Sequence, residues 1–354
     1  MIRYRYMLKQ REPDRLYTLF YKGELNMQGK IALEEHFATE EFLEAVKPWF
    51  INEGPGAWER ASSAMSDISG KRLQLMDEAG IEKTILSLTS PTIQAILDVD
   101  KAIESARRSN EYIANQINDH KDRFESLAAL PTQDPDAAAI ELHRCVEDYG
   151  FKGALINGFC QIGDLNVPIY LDSPRYIDFW GEVAKLDLPI YIHPRPTIEP
   201  ILKAEFEGHD WMARAAWGWH LQTGTHVLRL IGSGVFDRYP SLQIVVGHMG
   251  ELLPMFLWRI TNRAKNYKRD CKAERPIREY FERNINITTS GHCSTPALMC
   301  AVMEMSTDRI MFSTDYPYET MKQNSDWFDN IPFSYNDKLK MGRTNAEKLF
   351  KLNT

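Results

Sequence analysis

Five ionisable residues stand at the ends of short apolar runs, and their types are those of a metal site. Lys30-Ile31-Ala32-Leu33 runs into Glu34 and His36, with Glu35 between them, Leu188 to Ile192 into His193, Leu242 to Gly247 into His248, and Arg309 to Thr314 into Asp315, the five being Glu34, His36, His193, His248 and Asp315. Side chains alternate faces along a strand, so Glu34 and His36 project to one side and Glu35 to the other. Carboxylates combined with imidazoles suit zinc, manganese or iron(II), whereas calcium and magnesium rarely recruit histidine. One divalent ion, manganese or zinc, is expected, because no lysine ends a central strand where it could bridge a second metal.

Other candidates lie beside these five. In Gly247-His248-Met249-Gly250-Glu251 the glycines let backbone approach a ligand. Glu251 either accepts an imidazole N–H and fixes its tautomer, or is a first-turn helix acid favoured by the dipole. Arg259, in the apolar segment Leu257-Trp258-Arg259-Ile260, could pair with a substrate carboxylate or an interface acid, and Arg195 is a weaker candidate. His292 could line the pocket or lie on the surface. His120, His143, His209, His220 and His226 sit in helix or loop patterns and are assigned no chemistry.

The elements that must position these residues follow one rhythm from Gly29 onward: apolar run, loop, helix-period segment, apolar run. The runs are Lys30 to Leu33, Thr84 to Leu88, Phe124 to Leu130, Phe151 to Asn157, Leu188 to His193, Leu242 to Gly247, Ile285 to Thr289 and Arg309 to Thr314. Helix signals separate them, such as Asp134-Pro135, a cap and first-turn proline before Ala138, Leu142, Cys145 and Tyr149 on one face. Alternating strands and helices of this number predict an α/β fold, a (β/α)8 barrel. A doubly wound sheet is the rival, but no Gly-x-Gly-x-x-Gly follows the first run. On the barrel scheme all five ionisable residues sit at C-terminal strand ends, where barrel enzymes keep their chemistry.

Composition bounds the rest. With 354 residues, 44% of them hydrophobic, the chain can bury a large core, and a net charge of -7 argues against nucleic acid or an acidic membrane as partner. No apolar run reaches the ~18 residues of a membrane helix. Five cysteines without a Cys-x-x-Cys suggest neither a disulfide framework nor a thiolate zinc site, so a cytoplasmic location is expected. Residues 1–26 carry six Lys or Arg against three Asp or Glu and read as an N-terminal extension, leaving 27–354 as a single barrel domain. The tryptophans at Trp49, Trp58 and Trp211 to Trp219 could be interface, pocket wall or core, core being the usual place.

The motifs resemble those of the decarboxylases of the amidohydrolase superfamily. The likeness rests on Leu33-Glu34-Glu35-His36-Phe37, Tyr191-Ile192-His193-Pro194-Arg195, Gly247-His248-Met249-Gly250-Glu251, Ile287-Thr288-Thr289-Ser290-Gly291, Phe312-Ser313-Thr314-Asp315-Tyr316-Pro317 and Gly342-Arg343-Thr344-Asn345-Ala346. It implies a barrel that binds one divalent metal and, without an organic cofactor, reversibly releases CO2 from ortho-hydroxylated benzoates. It further implies that Glu34, His36, His193 and Asp315 bind the ion. His248 and Glu251 would be the catalytic pair beside Asp315, with Arg259 reaching the substrate region. The substrate would be a small aromatic acid and the assembly a homodimer or homotetramer. His36 favours the 2,6-dihydroxybenzoate branch, whereas Ser290-Gly291-His292-Cys293-Ser294-Thr295 looks more like the 2,3-dihydroxybenzoate branch. The same residues would also serve a hydrolase of amides or lactones, through a metal-activated water, or a barrel that only binds a ligand.

Overall fold

The computed structural model describes residues 26–47, 55–267 and 269–352. The expected extension, save Asn26, and Trp49 lie outside them. Among the described residues eight strands run in parallel: β1 (Lys30–Phe37), β2 (Ile81–Leu88), β3 (Phe124–Ser126 continued by Ala128–Ala129), β4 (Ala154–Asn157), β5 (Ile190–His193), β6 (Ile244–Val246), β7 (Ile285–Thr288) and β8 (Ile310–Met311). Most are shorter than the apolar runs that foretold them. In a tilted, twisted barrel only the middle of each run keeps register with both neighbours.

β3 is split at Leu127, which the sequence pattern did not show. Leu127 N donates to Leu86 O of β2 at 2.9 Å, while Ala128 N donates to Gly153 O beside β4 at 2.9 Å, so this strand changes partner midway. A parallel bridge between Leu33 and Ser313 joins the first strand to the last, and Ser313 Oγ donates to Leu33 O. The architecture is the (β/α)8 barrel.

Both faces of the sheet are apolar, as parallel strands covered on both sides require. Ile31, Leu33, Ile85, Leu127, Leu155, Tyr191, Val245 and Met311 fill the interior, and Ala346, Phe350 and Leu352 of the C-terminal segment pack onto them. The alternate residues, among them Ala32, Leu86, Ile156, Ile192, Val246, Ile287 and Phe312, pack outward with the helices. Among the helices are α1 (Pro135–Tyr149), α2 (Gly218–Gly232), α3 (Leu253–Ala264) and α4 (Thr295–Met305), of which the last three border the turn that carries His248 and Glu251. α1 starts as its sequence reads: Asp134 Oδ1 accepts from Asp136 N at 2.9 Å and Ala137 N at 3.0 Å, Pro135 leads, and Gly150 at φ 75° ends the helix.

Candidate metal centre

The first strand does not alternate evenly. Ile31 and Leu33 face the barrel interior, so strict alternation would turn Glu35 inward and Glu34 and His36 toward the helices. Instead the pairing with β2 shifts register between Ala32 and Glu35, and Glu34 adopts φ 61°. This bulge inserts one residue, so Glu34 and His36 point inward and Phe37 joins the outer layer. Glu35 faces away and holds a neighbouring turn: its carboxylate accepts from Thr314 N at 2.9 Å and Thr314 Oγ1 at 2.7 Å, immediately before Asp315. Burial pushes the Glu35 carboxyl up to about 8, against the two Thr314 donors. Nothing in the sequence pattern had given Glu35 that work.

Glu34, His36, His193 and Asp315 offer ligand atoms that all lie within 4.8 Å of one another. His193 Nε2 is 3.2 Å from Glu34 Oε1, and His36 Nε2 is 3.3 Å from Asp315 Oδ1. The outer atoms are held by the scaffold. His193 Nδ1–H donates to Asn157 Oδ1 at 2.8 Å, and Ser87 Oγ lies 3.2 Å from His36 Nδ1, so both Nε2 lone pairs face the centre. Tyr191 OH and Ser290 Oγ both donate to Glu34 Oε2, leaving Oε1 for the centre. Burial pushes the Tyr191 phenol well up, the Glu34 charge adds to this, and the hydroxyl stays a donor.

The donor set fits a divalent cation. Glu34 Oε1 and His36 Nε2 are buried and lack a hydrogen-bond partner, an arrangement that costs about 1–3 kcal/mol per atom unless something else coordinates them. His193 is held below the ordinary imidazole range, chiefly by burial, with Glu34 opposing; neutral imidazole is the form that binds metal. Gly247 lets the Glu34 carboxylate come close, since a Cβ there would stand 2.6 Å from Oε2.

His248 adjoins the four, its Nε2 3.5 Å from both Glu34 Oε1 and Asp315 Oδ2 and its Nδ1–H donating to Glu251 Oε1 at 2.8 Å. Burial pushes the His248 imidazole down, but the Glu34 and Glu251 charges and the contact with Asp315 outweigh it and hold it well above its ordinary value. Burial pushes Asp315 up, and His248 and His36 overcome that to hold it well below the carboxylate range. Glu34, His248, Glu251 and Asp315 adopt φ of 61°, 47°, 51° and 64°. Left-handed backbone at such residues costs on the order of 1–3 kcal/mol each and persists where the surroundings over-determine it, a mark of functional sites.

The structure decides between the two readings of Glu251 and corrects that of His220. Glu251 is no first-turn helix acid: His248 to Leu252 form a left-handed turn, and α3 begins only at Leu253. His220, set aside as a helix histidine, donates Nδ1–H to Glu251 Oε2. Its signal was weak because His220 and Glu251 lie on different elements. His226 fits the sequence reading, buried with Nε2 accepting from Leu171 N at 3.1 Å. Arg195 is structural: buried, it donates to Gln94 O, Phe159 O and Gln161 Oε1 and stacks on Phe159.

His292 is half-buried beside His248, Glu251 and His220. Arg259 lies on the exposed side of α3, in a 510 Å³ groove with Glu251, His220, Trp217 and Phe256, away from the four candidate ligands. Nor do the tryptophans Trp211 and Trp217 lie in the core, being 75% and 40% exposed.

The amidohydrolase family profile matches residues 63–352. A gamma-resorcylate decarboxylase from a Rhizobium species is 49% identical over 92% of this chain and 99% of its own length. The crystal structure of a 2,6-dihydroxybenzoate decarboxylase complexed with 2,6-dihydroxybenzoate superposes with a TM-score of 0.88 at 48% identity, covering 92% of this chain and all of that one (100%). A dihydroxybenzoic acid decarboxylase from Polaromonas, with bound manganese and the inhibitor 2-nitroresorcinol, gives a TM-score of 0.89 at 46% identity, over 93% of this chain and 98% of its own.

Proposed function

The chain belongs to the amidohydrolase family, and from that premise we propose that it is a metal-dependent carboxy-lyase acting on 2,6-dihydroxybenzoate or a near relative such as 2,3-dihydroxybenzoate. One observation carries the reading: the His248–Glu251 pair touches Asp315 at the edge of a Glu34, His36, His193 and Asp315 ligand cluster. These four residues would hold one divalent ion, manganese or zinc. When bound, the ion supplies Lewis-acid charge for the phenolic and carboxylate oxygens of the substrate.

The chain's own groups supply the proton. Direct loss of CO2 would leave an unstabilised aryl carbanion, so the ring carbon bearing the carboxylate is protonated first, helped by the ortho oxygen. His248 Nε2 and Asp315 Oδ2 are in contact at 3.5 Å, so a proton can pass between them. Asp315 is the group that delivers it to carbon, and Glu251 keeps the imidazole aligned and charged. Breaking the C–C bond then restores the ring: benzoate plus one proton gives phenol plus CO2, and carboxylation is the reverse.

The surroundings support two finer points. His292 lines the mouth beside His248. Arg259 serves an assembly, since exposed Trp217, Leu221, Met255, Phe256, Trp258 and Met303 spread over α2, α3 and α4 around it. An apolar face of this kind marks an association surface, and a homodimer or homotetramer covers it.

The test is CO2 release from 2,6-dihydroxybenzoate, 2,3-dihydroxybenzoate and salicylate by metal-analysed protein. Turnover of a dihydroxybenzoate, lost on chelation and reduced about 10²-fold or more by Asp315→Asn, is expected. No release by protein carrying one ion per chain would sink the reading and turn the search to amide and lactone hydrolysis.

A further inference from the structure

Glu251 is buried, and its backbone gives it little support. The turn from His248 to Leu252 has φ of 47°, 59°, 77°, 51° and 67°, so no helical ladder holds the residue in place. The end of a glutamate side chain turns easily, because its terminal torsion has broad wells. One hydrogen bond to one oxygen leaves that rotation open. Here each oxygen has its own imidazole: Oε1 accepts from His248 Nδ1 at 2.8 Å and Oε2 from His220 Nδ1. The two rings lie 6.0 Å apart and nearly perpendicular, at 78°, with the carboxylate bonded to both.

His220 comes from α2, outside the strand ends that carry the other site residues. α2 meets the same turn a second time one helical turn later, where a Cβ on Gly224 would stand 3.2 Å from Glu251 O. The helix therefore packs against the Glu251 backbone, and its bond to the residue is the His220 contact with the carboxylate. His220 faces the groove with Trp217, Leu221, Phe256 and Arg259, so its link to the centre runs through Glu251.

We propose that His220 is a positioning residue for decarboxylation: it locks the Glu251 carboxylate, which in turn aims the His248 ring at Glu34 and Asp315. The inference rests on the decarboxylase reading and adds a helix residue to it. Zinc-loaded wild type, His220→Phe and His220→Asn are compared by steady-state kinetics, by thermal unfolding and by the downfield proton resonance of His248 Nδ1–H. In His220→Phe, kcat falls about tenfold or more with KM and Tm little changed, and the His248 resonance moves or broadens.

The Asn side chain keeps an N–H near the lost Nδ1, so His220→Asn restores most of kcat and the resonance. Unchanged kcat with an unmoved resonance overturns the proposal. So does a drop in Tm that parallels kcat in both variants, which would make His220 a packing residue. If wild type turns over none of the hydroxybenzoates but the His248 resonance still moves in His220→Phe, positioning stands and the decarboxylase reading falls.

Discussion

Single side chains at this centre are held in place by hydrogen-bonding neighbours set behind them. Asn157 and Ser87 turn the two imidazoles, Tyr191 and Ser290 take one oxygen of Glu34, and Thr314 ties Glu35 to the turn before Asp315. Gly247 offers a sharp test, because its backbone, at φ -71° and ψ -173°, accepts alanine without strain. The obstacle is the Glu34 carboxylate, whose Oε2 and Oε1 would stand 2.6 and 3.1 Å from a new Cβ. Gly247→Ala is expected to weaken metal binding at least tenfold while leaving Tm of the metal-free protein nearly unchanged. Metal retained per chain against a competing chelator checks this, and wild-type retention would refute it.

Among the elements, β1 and α2 show how a local departure serves the whole. The bulge at Glu34 reverses which residues of β1 face inward, and α2 carries both His220 and the buried His226. Burial, with Arg229 adding to it, pushes the His226 imidazole down to about 3, and its Nε2 accepts from Leu171 N. An unfolded histidine takes up its proton near pH 6.5. Between about 6.5 and 3 the unfolded chain therefore binds one proton more than the folded one at this position. Stability rises with pH through that window and falls on acidification, by up to about 1.4 kcal/mol per pH unit. His226→Gln keeps an acceptor for Leu171 N and cannot titrate. Urea unfolding between pH 7 and 5 should show a slope shallower by about one proton, and an unchanged slope would count against the burial argument.

At the scale of the molecule, the barrel is finished by its first and last segments: Ser313 bonds Leu33, and Phe350 and Leu352 close the interior from below. Its outer surface is unevenly finished. Met255, Phe256 and Trp258 are 74%, 50% and 66% exposed on α3, beside the groove that reaches Glu251. A charge placed there should prevent association without touching the core. Trp258→Glu is expected to shift the mass in solution, by light scattering, from a dimer or tetramer toward the 40.9 kDa chain. A monomeric wild type would remove the assembly proposal.

Much of this protein was legible in order of residues alone. Eight apolar runs with helix signals between them imply a parallel barrel, because strands buried on both faces need helices to cover them. Ionisable residues at the ends of those runs must gather at one mouth, which is why Glu34, His36, His193, His248 and Asp315 could be grouped before any coordinates. What the order of residues left open was everything set by contact between distant segments. Alternation alone cannot say that a bulge turns Glu34 inward, since bulges depend on the register with β2. Nor can helical spacing show that Glu251 sits in a left-handed turn, or that His220 on α2 reaches it, because those bonds join elements whose approach only the closed barrel fixes.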